Sequence, residues 1–177
     1  MCANASSSTR RSFLSTSAAC AVTVAASQLA AIGSADAQPG KTKRADLPMI
    51  KPGTNTSFVS LKQIEAGVMS VGYAEAGPAN GPVVFLLHGW PNDIHTYIDV
   101  APLLGSAGYR VIVPYLRGYG TTRILSSATP RNGRPSAIAV DMIALMDALN
   151  IEKASIAGCD WGARTANIMA ALWPERC

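Results

Sequence analysis

The sequence predicts an α/β fold, a mostly parallel sheet with helices on its faces, entered through an N-terminal strand hairpin. Three observations carry this. The runs PVVFLL, YRVIVPYL and KASIAG are near-continuously apolar, which suits strands covered on both faces. Segments of helical period follow each run, so strand and helix alternate, and such a pattern closes through right-handed crossovers. Ahead of them lie two alternating stretches separated by a short glycine-containing turn.

In chain order, SFVSLKQI and VMSVGYAEAG form the hairpin, turning at Glu65 to Gly67, with Met69, Val71 and Tyr73 alternating toward one face. The run Pro82 to Leu87 is the first buried strand and ends at His88-Gly89. HTYIDVAPLL, ahead of Gly105, reads as a helix, and Tyr109 to Leu116 as the next strand. PSAIAVDMIALMDALN is a second helix, with Pro135 suited to the first helical position and Ile138, Met142, Leu145 and Leu149 on one face. Lys153 to Gly158 is the last strand, and a helix follows it. In such sheets ligands sit beyond the carboxyl ends of the strands. Three loops gather there: HGWPND, RGYGTT and CDWGA.

The last of these carries the chemistry. Gly158-Cys159-Asp160-Trp161-Gly162 has the G-x-S-x-G layout of a nucleophile elbow, with aspartate at the serine position. A sharp strand-to-helix bend needs small residues around the nucleophile, which Gly158 and Gly162 supply, and the positive end of the following helix favours a carboxylate there. Asp160 is therefore a candidate covalent nucleophile. An aspartate at a helix start also serves as an ordinary N-cap. Hydrolysis of the ester such a nucleophile forms needs a general base, commonly histidine. The sequence has two, His88 and His95. His88 reads as a structural residue tying its loop, and His95 as a solvated histidine at a helix start.

Residues 1–37 read as a signal peptide of the twin-arginine type. Ser8-Thr9-Arg10-Arg11-Ser12-Phe13-Leu14 precedes a small-residue apolar run without acidic residues, and Ala35-Asp36-Ala37 offers an A-x-A cleavage site. An Arg- and Ser-rich organellar transit peptide is the competing reading. The apolar run holds Gln28 and falls short of the roughly 20 residues that span a bilayer, so no membrane span is expected. The expectation is export to the periplasm or beyond, with a mature N-terminus near Gln38. Residues 38–56, rich in Pro, Gly, Lys and Thr, read as a linker, and 57–177 as the core domain.

Composition bounds the remaining function classes. With 177 residues, 49% hydrophobic, the chain supports one domain. Its formal charge of +4 comes from scattered residues apart from the KTKR stretch, and no basic face interleaved with aromatics suggests nucleic acid. There is no metal-ligand cluster or phosphate-cradling glycine loop, so no cofactor or metal is expected. Cys159 and Cys177 flank a helix of ten or more residues, about 15 Å long, whereas a disulfide needs its Cα atoms within about 7 Å. Cys159 reads as a small buried residue beside the elbow.

LLHGWP at Leu86 to Pro91, RGYG at Arg117 to Gly120 and GCDWGA at Gly158 to Ala163, in this order and spacing, resemble the α/β-hydrolase family, in its epoxide hydrolase and haloalkane dehalogenase branch. The likeness covers about residues 58 to 177. It implies the α/β-hydrolase fold, Asp160 as the nucleophile that opens an epoxide through an alkyl-enzyme ester, and the backbone N–H groups of Trp90 and Trp161 as the oxyanion hole. It also implies a cis Trp90-Pro91 bond and a small apolar epoxide or haloalkane-like substrate. Arg117 reads as a brace for its loop. In the family the cap domain and the acid and histidine of the triad follow the elbow helix, where this sequence reads LWPERC. The resemblance therefore implies a partial core domain, truncated after that helix and inactive alone. A dehalogenase is the runner-up chemistry, with Trp161 as a halide donor, and a non-catalytic binding module of the same fold is a third reading. Oligomeric state is unassigned.

Overall fold

The computed structural model describes residues 57–58 and 60–177; the signal peptide at 1–37 and the linker at 38–56 lie outside the described residues. Strands β1 (Leu61–Ala66) and β2 (Met69–Ala76) form the hairpin, pairing from Leu61↔Ala74 to Ala66↔Met69. The register leaves a two-residue loop, and Gly67 enters it at φ +58°, a conformation glycine adopts without steric cost.

The hairpin joins a mixed sheet in the order β1-β2-β4-β3-β6, with β3 at Val83–Leu87, β4 at Arg110–Pro114 and β6 at Ser155–Gly158. β3 runs parallel to both β4 and β6, as the unbroken apolar runs predict, while β2 meets β4 antiparallel. A two-residue strand, β5 (Arg123–Ile124), adds to the start of β2; it is too short to show a period, and sequence reading left it in a loop.

Alternation along β3 divides the core. Val84 and Leu86 face Ala101 of helix α1 (Val100–Ser106), together with Val111 and Val113 of β4. Phe85 and Leu87 face the other side, where helices α2 (Pro135–Ala148) and α3 (Trp161–Leu172) pack with Ile138, Met142, Leu145 and Met169. Helices thus cover both faces of β3 and β4.

The helix expected over HTYIDVAPLL is two pieces, a 3₁₀ turn at Ile94–Tyr97 and then α1. Pro102 explains the break. It donates no hydrogen bond and its ring collides with the carbonyl four residues back, so it fits only the first turn of a helix that starts at Val100. α2 begins at Pro135 as the sequence suggests. It ends on Asn150 at φ +54°, with Asn150 N–H donating to Asp147 O and Ile151 N–H to Met146 O. That pair of bonds is the Schellman stop, and it turns the chain into β6.

Candidate active site

Parallel β4, β3 and β6 end side by side, so their carboxyl-terminal loops converge. The loop after β6 is the sharpest. Asp160 sits at φ +50°, ψ −115°, a conformation rare for a residue with a Cβ and a recurrent mark of functional strain. Its side chain makes no capping bond to α3, which removes the N-cap role as the reason for an aspartate here.

The glycines around it are steric requirements. A Cβ on Gly162 would lie 2.0 Å from Leu87 O, and one on Gly158 2.4 Å from the carbonyl carbon of Gly162. α3 is thereby pressed against the ends of β3 and β6. A Cβ on Gly89 would lie 2.6 Å from Asp160 Cβ and 2.8 Å from Asp160 Oδ2, so the first loop must be glycine for the carboxylate to occupy its seat.

In that seat Asp160 Oδ2 accepts a hydrogen bond from Trp90 N–H at 2.9 Å. The Trp161 amide, at the first residue of α3, makes no such bond in this geometry. The Trp90-Pro91 bond is cis. Both indoles are exposed, Trp90 at 70% and Trp161 at 37%, with the Arg164 guanidinium 5.9 Å from the Trp161 ring centre. Beside them lies a hollow of about 390 Å³, walled by Gly89, Trp90, Leu116, Tyr119, Ile138 and Trp161. That volume is ordinary for a small-molecule site.

The two histidines are both engaged away from the carboxylate. His88 is fully buried; its Nδ1–H donates to Gly89 O at 3.2 Å, and its Nε2 accepts from Leu116 N–H at 3.1 Å. Burial pushes its pKa down, which favours the neutral ring that this pair of bonds requires. It ties the first loop to the second, as the sequence reading held. His95 is exposed beside the 3₁₀ turn, its Nδ1 2.8 Å from Asp93 Oδ1.

Arg117 is locked. Its Nε and Nη2 donate to the two carboxylate oxygens of Asp141 at 2.8 and 2.7 Å, which braces the RGYG loop against α2. Asp141 is only 3% exposed. Sequence reading missed this partner, although an acidic residue beside Met142 on the buried face of α2 was the available signal. It missed Tyr119 as well. That ring packs edge-on to His88 at 4.6 Å and lines the hollow; burial, then the negative charge of Asp160, push its phenol pKa up, so it remains a donor.

The expectation that Cys159 is buried is wrong: it is exposed. Ser155, Ala157 and Cys159 lie on one face by the strand period, and that face is uncovered among the described residues. Cys159 and Cys177 are both free thiols. Among the described residues no group of three or more His, Cys, Asp or Glu is placed to hold a metal, and no helix is long and apolar enough to cross a membrane.

Residues 82–177 match a family model described as the alpha/beta hydrolase fold. The chain belongs to this family. Among curated alpha/beta hydrolases it is similar to epoxide hydrolase 3 of Siraitia grosvenorii, 41% identical over 101 residues, covering 57% of this chain and 31% of that protein. It is also similar to fluoroacetate dehalogenase of a Burkholderia species, 34% identical over 113 residues, covering 63% of this chain and 36% of that one. Among solved alpha/beta hydrolases, a Klebsiella pneumoniae protein provisionally assigned as an epoxide hydrolase is 64% identical, with a TM-score of 0.66 over 67% of this chain and 39% of that chain. The chain spans about a third of the length of the curated relatives it matches. It is thus an alpha/beta hydrolase whose relatives include epoxide hydrolases and a dehalogenase.

Proposed function

We propose that this chain carries the nucleophile-bearing part of an epoxide hydrolase, with Asp160 opening an oxirane through an alkyl-enzyme ester. The observation that carries the reading is the resting posture of that side chain: it caps nothing, sits at positive φ, and is fixed through one oxygen to the Trp90 amide. Oδ2 is thereby committed to a donor while Oδ1 is left for attack. The new bond forms between Oδ1 and a ring carbon as that carbon's bond to the ring oxygen breaks, and the resulting alkoxide takes a proton from solvent water. Oδ2 becomes the carbonyl oxygen of the ester. When water adds to Cγ, negative charge gathers on Oδ2, where the Trp90 amide already points and the Trp161 amide, at the positive end of α3, can join. Collapse releases the diol and restores the carboxylate.

The water needs a base to take its proton. The sequence's two histidines hydrogen-bond elsewhere, so on this reading the 177-residue chain accumulates the ester and does not turn over. Incubation with an aryl oxirane, then trypsin and mass spectrometry, tests it. The expected adduct lies on the peptide from Ala154 to Arg164 and is released by hydroxylamine, as an ester is. A thioether on neighbouring Cys159 would resist that treatment. An adduct confined to Cys159, or labelling unchanged in Asp160→Asn, overturns the proposal.

A haloalkane dehalogenase-like chemistry is the second reading, favoured by the likeness to the Burkholderia dehalogenase and by the part-exposed Trp161 indole at the hollow. The same attack would then expel halide, and halide release beside oxirane labelling separates the two. A non-catalytic binding module is the third; a stable, cooperatively unfolding chain that neither labels nor releases halide would favour it. The proposal includes export by the twin-arginine route, supported by the paired arginines and the A-x-A site, and sequencing of exported protein should find its N-terminus near Gln38.

A further inference from the structure

A second cavity, of about 380 Å³, lies between the RGYG loop, β5 and the segment that leads into α2. Arg117, Arg123 and Arg131 stand on its walls, and no aspartate or glutamate lines it. The three guanidinium groups are not equivalent. Arg117 is neutralised by Asp141 in the bidentate pair, and its Nη1 donates to Pro130 O at 3.4 Å, so it fixes the wall. Arg123 and Arg131 are exposed and take part in no ion pair among the described residues. Beside them, Asn132 Oδ1 is taken by Arg134 N–H at 2.9 Å, which leaves the donor end of that amide unused. The apolar surface in the cavity is that of Ile124, half-buried, with Met69 fully buried behind it.

We propose that this cavity binds an organic carboxylate, its charge on Arg123 and Arg131 and its short apolar body against Ile124. Guanidinium forks match a carboxylate in two-point geometry, and they hold it more strongly in a sheltered hollow than in open water. Ile124 selects against a small inorganic anion, which would leave its exposed apolar surface without contact. The cavity shares Arg117 and Gly133 with the hollow flanked by Trp90 and Trp161, so the two cavities adjoin. The inference needs none of the Asp160 chemistry.

Calorimetric titration of the full chain with hexanoate tests it, with hexanamide as the neutral isostere and inorganic phosphate as the bare anion. Hexanoate is expected to bind one to one, about tenfold or more tighter than either control. Arg123→Gln and Arg131→Gln should each weaken it about tenfold, while Asp160→Asn leaves it unchanged. Both arginines are exposed, and thermal melts check that the variants stay folded. The charge-swapped pair Arg123→Glu and Arg131→Glu should lose hexanoate and gain hexylamine. Equal binding of hexanamide or phosphate overturns the proposal, as does hexanoate binding that survives the double glutamine variant. Loss of binding in Trp161→Ala also overturns it, because the anion would then sit in the nucleophile hollow.

Discussion

Two loops border the same hollow and treat charge in opposite ways. In the loop after β4, Arg117 is largely buried and spends its guanidinium on both oxygens of Asp141. In the loop after β6, Asp160 stands exposed, and among the described residues no cation reaches it closely enough to form an ion pair. A guanidinium on that carboxylate would lower its nucleophilicity; a single neutral amide orients it while leaving one oxygen open. The loop after β4 uses a charge for position, and on the proposed reading the loop after β6 keeps one for chemistry.

The largest test of this contrast is Asp160→Asn. It should reduce oxirane labelling by about a thousandfold or more, since the amide is a far weaker nucleophile. Thermal stability should hardly change, because asparagine accepts positive φ as readily as aspartate and no cap is lost. A large fall in melting temperature would show that the carboxylate braces the elbow after all. Next comes the braced side. Asp141→Ala leaves Arg117 buried without its partner and should cost about 3–5 kcal/mol in urea unfolding. Replacing both members by apolar residues of similar size should recover most of that loss.

A smaller effect is expected at Gly89→Ala. The added methyl collides with Asp160 Cβ and Oδ2, so the carboxylate must leave the Trp90 amide. Labelling should fall about ten- to a hundredfold, as a displacement of around 1 Å typically costs. The smallest lies at the hairpin, on Glu75, which pairs with Lys62 and with Arg110. Burial alone would push its pKa up, but hydrogen bonds and charge from Lys62 and Arg110 outweigh burial and hold it below the usual carboxylate value. A lowered carboxylate pKa gives stability that is present above the unfolded value of about 4.3 and lost as pH falls through the folded value. Glu75→Gln should flatten that acid limb by about 1 kcal/mol or less.

How far the sequence could be read follows from the range of each interaction. The elbow, the HGWP loop and the α2 face are local: glycine spacing, a helical period and Pro135 declare them within a dozen residues. What escaped depends on partners far along the chain. β5 exists only because β2 is there to pair with it, and Arg117 finds Asp141 24 positions away. The exposure of Cys159 depends on what covers one face of β6, which its own neighbours do not announce. The division of HTYIDVAPLL was legible in principle, because Pro102 forbids an unbroken helix there.

The fit of Gly162 against the Leu87 carbonyl has a further consequence. Main-chain atoms, packed too tightly to admit even a methyl group, determine where the reactive group stands relative to its amide donor. The scaffold would therefore hold any side chain whose residue accepts the positive φ of position 160. Exchange that one residue and the donor is still waiting at the same height, ready for an oxygen that belongs to a bound substrate instead of the protein.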